Sequence, residues 1–498
     1  MHQKKAVIIG SGVAGLGCAI RLAVQGFDVT VYEKNDYPGG KLSAFKKEGF
    51  HFDAGPSLFT QPQNIEELFT LAEEPIQDYL CYHKIDIACK YFFENGKEIN
   101  AYSNKDLFAN EIQVKTGEPK ENINNYLDRS EKLYNNVANI FLNYSLHKKS
   151  TWLHTRAISA FSSVKFPYIF KSLNQYNTSF KTKETQQIFN RFATYNGSNP
   201  YKAPAMLSLI PHLEQTEGAY YPQGGMINIT NALYKLALKK GVKFCFDAAV
   251  QKIICPDNTA SGIVVNNENV MADVVVSNSD VYFTYKHLLS NSIKAKKILR
   301  QERSSSALAF YWGINKNFPQ LELHNILFSE DYATEFENIF KSKKLYHDPT
   351  VYINITSKIE KAQAPDGCEN WFVMINVPAT NTYNAEEVKE VARKNIIEKI
   401  NRILKTDIAQ HIVTETFLHP QSIEENTGSY LGSLYGTSSN SKTAAFLRHP
   451  NFTKRIKNLY CCGGSVHPGG GIPLCLKSAK IVSDLVKHDI KNVRKVLA

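Results

Sequence analysis

Apolar runs and helical spacing alternate along the first 33 residues of the chain. Residues 6–10 form a short, continuous apolar run, which is typical of a buried parallel strand. Apolar positions recur at helical spacing over 14–25, and Gly26 is placed to end that helix. Residues 28–33 form a second strand that ends in the acid Glu33. The pattern predicts a strand–turn–helix–strand unit.

The same periodicities predict further elements along the rest of the chain. Helices are expected at residues 227–240, 385–405 and after Pro473. Alternating charges over 385–405 indicate an amphipathic helix with one solvated face. Strands are expected at residues 243–247, 274–278, 307–314, 350–356 and 371–377.

The first turn carries three glycines, Gly10, Gly12 and Gly15, in the GxGxxG spacing. Such glycines allow a tight turn, a close approach of the backbone to a pyrophosphate, and close packing of helix on strand. The helix N-terminus then faces the phosphates. Glu33 follows Gly10 by 33 − 10 = 23 positions, near the distance at which an acid binds a ribose 2′-OH. An acid here favours FAD or NAD over NADP.

A second glycine-rich loop lies near the C-terminus. Five glycines fall within the nine residues 463–471, and the residues after Pro473 show helical periodicity. The loop therefore opens onto a helix N-terminus, which can stabilise negative charge such as that on a reduced flavin.

Composition restricts the class of protein. The chain has 498 residues, 43% hydrophobic and 21% charged, so a folded protein of two or three structural units is expected. No apolar run approaches the roughly 18–20 uncharged residues of a membrane-spanning helix. The apolar N-terminus is similar to a signal peptide, but its glycines and the strand after them indicate mature structure.

The nine cysteines are odd in number and include no CxxC motif. This pattern indicates neither a disulfide framework nor a zinc site. Reduced thiols in a cytoplasmic setting are expected, and no metal is expected.

Much of the net charge of 58 − 47 = +11 lies in one stretch of the chain. Residues 145–183 contain no Asp or Glu, seven Lys or Arg, and seven aromatic residues, namely Trp152, Phe161, Phe166, Tyr168, Phe170, Tyr176 and Phe180. Basic residues interleaved with aromatics suit a helix that lies in the membrane interface. A core helix pair that lacks acids is the alternative. Nucleic acid can also bind such a pattern, but no nucleic-acid fold signature accompanies it.

These motifs, taken together, resemble the phytoene-desaturase family of carotenoid desaturases, within the flavin amine-oxidase superfamily. The matching segments are GSGVAGL at 10–16, PGGK at 38–41, FDAGPS at 52–57, RFATYNGSNPYKAP at 191–204, YYPQGGM at 220–226 and GGSVHPGGGIPLCLKSAK at 463–480. They span essentially the whole chain, and the HPGGGIP motif is the most specific.

The resemblance implies an α/β fold, with a discontinuous Rossmann-like FAD-binding domain, an inserted α+β substrate domain and a helical membrane-associating region. The FAD-binding domain is expected from residues 1–70, 215–290 and 445–498, the substrate-binding domain from 71–214 and 291–444, and the candidate membrane-interface helical segment from 145–183. A strand at 248–250 is expected to bring a backbone contact from Val250 to the adenine.

The glycine fingerprint and the resemblance together imply a set of FAD-binding residues. These are Gly10, Gly12, Val13, Ala14, Gly15, Glu33, Lys34, Gly40, Lys41, Leu42, Gly55, Pro56, Ser57, Val250, Asn278, Gly463, Gly464, Gly471, Ile472 and Pro473.

The implied activity is FAD-dependent carotenoid desaturation next to the polyene of a hydrophobic C40 carotenoid. The pair Pro473-Leu474, where many relatives have Pro-Gly, is similar to the hydroxycarotenoid 3,4-desaturases and γ-carotene desaturases. Loss of an allylic hydride leaves a cation delocalised over the polyene, and loss of a proton then completes the double bond. Such a step needs position and a dry pocket more than a strong base.

The implied partners are a membrane surface, on which the cytoplasmic protein rests peripherally, and oxygen or a quinone as electron acceptor.

Three residues are candidates for a catalytic role. His467 lies in the second glycine loop, although the favoured interpretation is a loop histidine bonded to the backbone. Arg191 and Tyr195 lie in the RFATYNG motif and could border the substrate tunnel; alternatively, Arg191 only pairs with a carboxylate. Glu214 and Asp53 have no argued role.

Other functions stay open at this point. Phytoene- or lycopene-type desaturation, flavin-dependent carotenoid isomerisation and prenyl binding by a carrier like the GDP-dissociation inhibitors are alternatives. The intact loop at 463–473 disfavours the carrier. An amine oxidase is disfavoured because amine oxidases have an acid after the glycine at Gly464, where this chain has Ser465.

Overall fold

The computed structural model describes residues 3–152, 166–441, 444 and 448–497. The strands are β1 (Lys5–Ile9), β2 (Asp28–Tyr32), β3 (Ala44–Lys47), β4 (Phe50–Asp53), β5 (Tyr82–Lys84), β6 (Ile87–Phe92), β7 (Glu98–Tyr102), β8 (Tyr220–Pro222), β9 (Lys243–Cys245), β10 (Val250–Ile254), β11 (Gly262–Val265), β12 (Glu268–Met271), β13 (Val274–Ser277), β14 (Ser306–Ile314), β15 (His324–Leu327), β16 (Val351–Ile355), β17 (Glu369–Val377), β18 (Ile412–Leu418) and β19 (Leu459–Cys461).

The α-helices are α1 (Val13–Val24), α2 (Gln63–Leu71), α3 (Lys105–Thr116), α4 (Lys120–Asn143), α5 (Lys149–Trp152), α6 (Phe166–Phe170), α7 (Leu173–Asn177), α8 (Lys183–Asn190), α9 (Ile210–His212), α10 (Ile227–Lys239), α11 (Val281–Phe283), α12 (Ser292–Leu299), α13 (Tyr332–Glu337), α14 (Ala385–Leu404), α15 (Pro420–Thr427) and α16 (Ile472–Leu497). None of those within the described ranges is long and apolar enough to cross a bilayer.

A five-stranded parallel sheet organises one part of the molecule, in the order β19-β13-β1-β2-β9. Successive strand residues point to opposite faces. Ile8, Val31 and Val276 pack with α1, α10 and α16 on one face. On the other face, Val7 and Val275 pack against the small antiparallel sheet β10-β11-β12. Both faces are thus covered, as a parallel sheet requires.

A mixed seven-stranded sheet organises the other part, in the order β18-β14-β17-β16-β15-β6-β7. Its strand β14, next to the edge strand β18, is buried at every position. Leu308, Phe310 and Trp312 on one face pack with α14. Ala309 and Tyr311 on the other face line the large cavity described below. This sheet places one wall of the candidate site.

The predicted strands and helices are observed, with ends shifted by up to two residues. The expectation at 248–250 needs correction, because Val250 is the first residue of β10 and not the last residue of a strand. The segment before it runs as extended loop, and the Ala248 amide donates to the Glu33 carbonyl at 2.8 Å. That bond keeps Val250 beside the end of β2.

The expected membrane-interface helical segment at 145–183 is helical over much of its described part, and its contact with a membrane stays a prediction. The chain there forms the short helices α5, α6 and α7 in place of one long helix. Tyr168 and Phe180 are buried in apolar clusters, because their rings pack against α4 and α8. Phe166 and Phe170 remain 70% and 50% exposed, with ring centroids 3.9 Å apart. Phe161 lies outside the described residues.

Candidate active site

The first glycine turn lies between β1 and α1 and has no room for side chains. A Cβ at Gly15 would lie 2.1 Å from the Gly10 carbonyl oxygen, and a Cβ at Gly12 would lie 2.9 Å from Asn278 Nδ2. Asn278 follows β13 directly, and its side-chain amide donates to the Gly10 carbonyl at 3.2 Å. The turn is therefore shaped to bring bare backbone close to a ligand.

Glu33 is held against this turn. Its Oε2 accepts hydrogen bonds from the Ser11 amide at 2.7 Å and from the Ser11 hydroxyl at 2.8 Å. The Asn35 amide donates to Oε1 at 3.1 Å. These bonds fix the carboxylate at the end of β2, where an acid can bind a ribose hydroxyl.

The second glycine loop meets the first one at Asn278. A Cβ at Gly463 would lie 2.7 Å from Asn278 Oδ1, and one at Gly470 would lie 2.9 Å from the Tyr435 ring. Helix α16 begins directly after Gly471, whose φ is 104°. The positive end of a 26-residue helix therefore points at the space between the loops.

One cavity of about 1120 Å³ joins these features. Every predicted FAD-binding residue lines it except Gly15, namely Gly10, Gly12, Val13, Ala14, Glu33, Lys34, Gly40, Lys41, Leu42, Gly55, Pro56, Ser57, Val250, Asn278, Gly463, Gly464, Gly471, Ile472 and Pro473. Gly15 lies beneath the turn, where it allows helix and strand to pack. Two glycine-rich loops, an acid at the end of β2 and a helix N-terminus fit FAD.

Lys41 lies in this part of the cavity as a partly buried cation. Its ammonium donates to the Leu434 carbonyl at 2.8 Å. Burial lowers the pKa of Lys41 to about 8. It therefore contributes positive charge to the cavity at neutral pH.

The far end of the cavity is aromatic. Tyr311 and Phe372 pack with ring centroids 5.3 Å apart, and Tyr352 lies 6.2 Å from the Phe372 ring. Met374 and Phe336 also line this end. Such a wall suits a long apolar ligand.

A buried polar cluster interrupts this apolar wall. The Arg191 guanidinium pairs with Glu214 at 2.6 Å and donates to the Tyr91 hydroxyl at 2.7 Å. The Tyr195 hydroxyl also donates to Glu214. Burial and the Glu214 charge hold the pKa of Tyr195 well above its usual value. Arg191 and Tyr195 both line the cavity, so Arg191 borders the cavity and pairs with a carboxylate as well.

His324 and Tyr352 form a second polar group in the same wall. The Tyr352 hydroxyl lies 2.7 Å from His324 Nδ1 and 2.7 Å from Ser57 Oγ. Burial and the Arg191 charge lower the pKa of His324 to about 3, so the ring is neutral. No local motif marks His324, Tyr352 or the role of Glu214, so the sequence alone does not predict them.

His467 does not line the cavity, although its glycine neighbours do. Its ring is 3% exposed, and Nε2 lies 3.0 Å from the Tyr144 carbonyl. Burial lowers the pKa of His467 to about 4. This placement favours the interpretation of His467 as a loop residue bonded to the backbone.

Asp53 has a structural role beside the site, at the start of α10. Its carboxylate accepts from the amides of Met226 at 2.9 Å and Ile227 at 3.3 Å, at the start of α10. Burial raises the pKa of Asp53 to about 6. It therefore caps the helix that packs under the sheet.

Comparison with known proteins agrees with this geometry. The profile of the family described as flavin containing amine oxidoreductase matches residues 13–487. The chain is 51% identical over 486 residues to the 1-hydroxycarotenoid 3,4-desaturase of Flavobacterium sp. (strain P99-3), covering 98% of this chain and 99% of that protein. It is 33% identical to the 4,4′-diaponeurosporene oxygenase of Staphylococcus haemolyticus (strain JCSC1435), covering 98% and 97%.

Among solved structures, wild-type putrescine oxidase bound to putrescine superposes with a TM-score of 0.62 at 15% identity, covering 99% of each chain. This likeness shows a shared mixed α/β fold. The expected cofactor is confirmed by the family match. The chain belongs to the flavin-containing amine oxidoreductase family, and the protein is an FAD-dependent oxidoreductase.

Proposed function

We propose that the protein is an FAD-dependent carotenoid desaturase that introduces a C=C bond next to the polyene, by 3,4-type desaturation of a 1-hydroxylated carotenoid or of γ-carotene. One observation carries the proposal: a single cavity runs from two glycine loops, which fit FAD, to an aromatic wall, which fits a polyene. The name of the relative at 51% identity supports the same reaction.

We propose that the chain forms two domains, each assembled from separated segments. Residues 1–70, 215–290 and 445–498 form the FAD-binding domain, and 71–214 and 291–444 form the substrate-binding domain. The strands of the parallel sheet come from the first set of ranges, and those of the seven-stranded sheet from the second set, which supports this division.

Bound FAD would supply the two-electron oxidation, taking up a hydride from an allylic carbon of the substrate. The chain positions the polyene against the wall that includes Tyr311 and Phe372, and keeps water away from the reacting carbons. The N-terminus of α16 stabilises negative charge beside the loop at 463–471. The substrate cation is delocalised over the polyene, so loss of the neighbouring proton needs no strong base.

We further propose that the protein works at a membrane surface, from which it takes its C40 substrate, with oxygen or a quinone as the final electron acceptor. The exposed pair Phe166 and Phe170 on α6, close to exposed Lys171, supports a surface contact with lipid. The carotenoid itself partitions into the bilayer, which supports the same placement.

The test is product identity. The FAD-loaded protein is incubated in liposomes with γ-carotene or its 1′-hydroxy derivative, and the product is examined by absorbance and mass. Desaturation predicts a red shift with the loss of two hydrogens. A product with an unchanged number of double bonds indicates an isomerase, and one that gains an oxygen atom indicates an oxygenase like the relatives at 31–34% identity; either result contradicts the proposal.

A further inference from the structure

Two stretches of the chain besides 145–183 carry basic residues and contain no Asp or Glu. Residues 281–301 hold five Lys or Arg, and residues 427–483 hold seven, as many as 145–183. Charges of one sign create a strong local potential where the fold places them side by side. The three stretches are far apart in sequence, so only their packing decides whether they form one binding surface.

The fold brings part of each stretch to one place beside β19. Ile298 of α12 packs in one apolar cluster with Cys461 of β19. The Cys461 amide donates to the Asn451 carbonyl at 2.9 Å, which places the loop before β19 next to that cluster. The Lys148 ammonium lies 4.7 Å from the centre of the Phe452 ring in the same loop. Residues of all three stretches therefore meet at this surface.

Five side chains from these segments define what we call the basic surface, namely Lys148, Lys294, Lys297, Lys454 and Arg455. The last three are exposed and the first two are half-buried. Burial and the neighbouring charges of Lys297, Arg455 and Lys454 lower the pKa of Lys294. Of the five, Lys148 alone pairs with a described carboxylate, that of Asp489 at 3.8 Å. The other four cations therefore have no partner of opposite charge within the described ranges.

The basic surface lies close to the exposed ring pair of α6, because both pack on α4. Trp152, at the end of α5, packs in the cluster of Ile140. Tyr168 of α6 packs in the cluster of Val137, which is roughly 4.5 Å further along the axis of α4. Exposed rings suit headgroup depth in a bilayer, and unpaired Lys and Arg gain from lipids with negative charge. An anionic membrane therefore fits both features together.

We propose that the basic surface binds the phosphate groups of anionic lipids, so that the protein docks preferentially on negatively charged membranes. The inference rests on the membrane placement given under the proposed function. It deepens that placement, because it names the class of lipid and adds a contact formed mainly by α12 and the loop before β19. Each cation at such a surface is expected to strengthen binding about fivefold.

The inference is tested by flotation of the FAD-loaded full-length protein with two kinds of vesicle, phosphatidylcholine alone and phosphatidylcholine with phosphatidylglycerol, at low and at high salt. The wild type is compared with Lys454→Gln plus Arg455→Gln, which removes two exposed charges of the basic surface. Lys235→Gln plus Lys239→Gln is the matched control, because both side chains are exposed on α10, which covers the other face of the parallel sheet. Flavin content reports folding in each variant.

The wild type is expected to bind the anionic vesicles at least about tenfold more tightly than the neutral ones, with the difference shrinking at high salt. The basic-surface variant should lose about tenfold on anionic vesicles and nothing on neutral ones, whereas the control should bind like the wild type.

Equal wild-type binding to the two kinds of vesicle would overturn the inference and leave the membrane placement standing, and this comparison needs no variant. Equal losses in the variant and the control would also overturn it, because the effect would then come from net charge. So would a variant that keeps its vesicle binding and loses binding to single-stranded RNA, since the surface would then serve nucleic acid. A wild type that binds neither kind of vesicle overturns the membrane placement as well.

Discussion

At the scale of single residues, burial shifts the pKa of groups in and beside the cavity. Lys41, His324 and Asp53 each have a shifted pKa with burial as the largest cause. The sequence identified Lys41 through its motif. It gave no role to Glu214, which pairs with Arg191 across 23 positions, because such a pair depends on how distant segments pack.

Asp53→Asn is expected to change how stability depends on pH. The folded-state pKa of Asp53 is raised from 3.8 to about 6, so its ionised form destabilises the fold above pH 6, and that penalty disappears as the pH falls from about 6 to 4. The rise corresponds to about 3 kcal/mol. Chemical unfolding of wild type and variant at several pH values measures the difference.

The Asn side chain keeps one acceptor for the α10 amides, so the variant should be the more stable protein at pH 7, with the gap narrowing toward pH 4. Parallel curves for the two proteins would show that Asp53 has an ordinary pKa.

At the scale of elements, local patterns predicted most of the fold. The strand–turn–helix–strand start, the helix α14 and the strands β14 and β17 follow directly from periodicity. The pattern over 145–183 leaves two interpretations, because interleaved basic and aromatic residues arise in a membrane-interface helix and also where rings such as Tyr168 and Phe180 pack inward. Periodicity does not distinguish the two cases, since the partner of a ring is a distant element.

The turn that opens α1 should not tolerate Gly15→Ala. The new Cβ would lie 2.1 Å from the Gly10 carbonyl oxygen, so the turn would have to move. FAD binding is expected to weaken at least about tenfold, measured by the flavin-to-protein ratio and by titration with FAD.

Gly17→Ala, in the same helix, is the control. Its Cβ meets a Leu476 side-chain carbon at 3.1 Å, which can give way, and Ala favours the helix. Normal flavin content in both variants would contradict the assigned role of the turn.

At the scale of the whole molecule, one cavity is lined by residues next to the parallel sheet, where the cofactor is expected, and by an apolar wall on the seven-stranded sheet. Membrane contact through α6 remains a prediction. Phe166→Ser with Phe170→Ser should reduce binding to anionic liposomes by about tenfold, because two exposed rings would no longer enter the interface. Flotation or co-sedimentation measures the bound fraction.

The matched control is Leu107→Ser with Val114→Ser on α3, where the side chains are 54% and 70% exposed. Those substitutions should leave binding unchanged. Equal binding by wild type and the α6 variant would contradict a membrane contact through α6.

The central claim is tested most directly by stoichiometry under anaerobic conditions. The FAD-loaded protein is mixed with 1′-hydroxy-γ-carotene and no other electron acceptor, while flavin absorbance and the carotenoid product are followed together. The account predicts one flavin reduced for each new C=C bond, with a red-shifted product two hydrogens lighter. Flavin that stays oxidised while the carotenoid changes, or a reduced flavin without a new double bond, would contradict it.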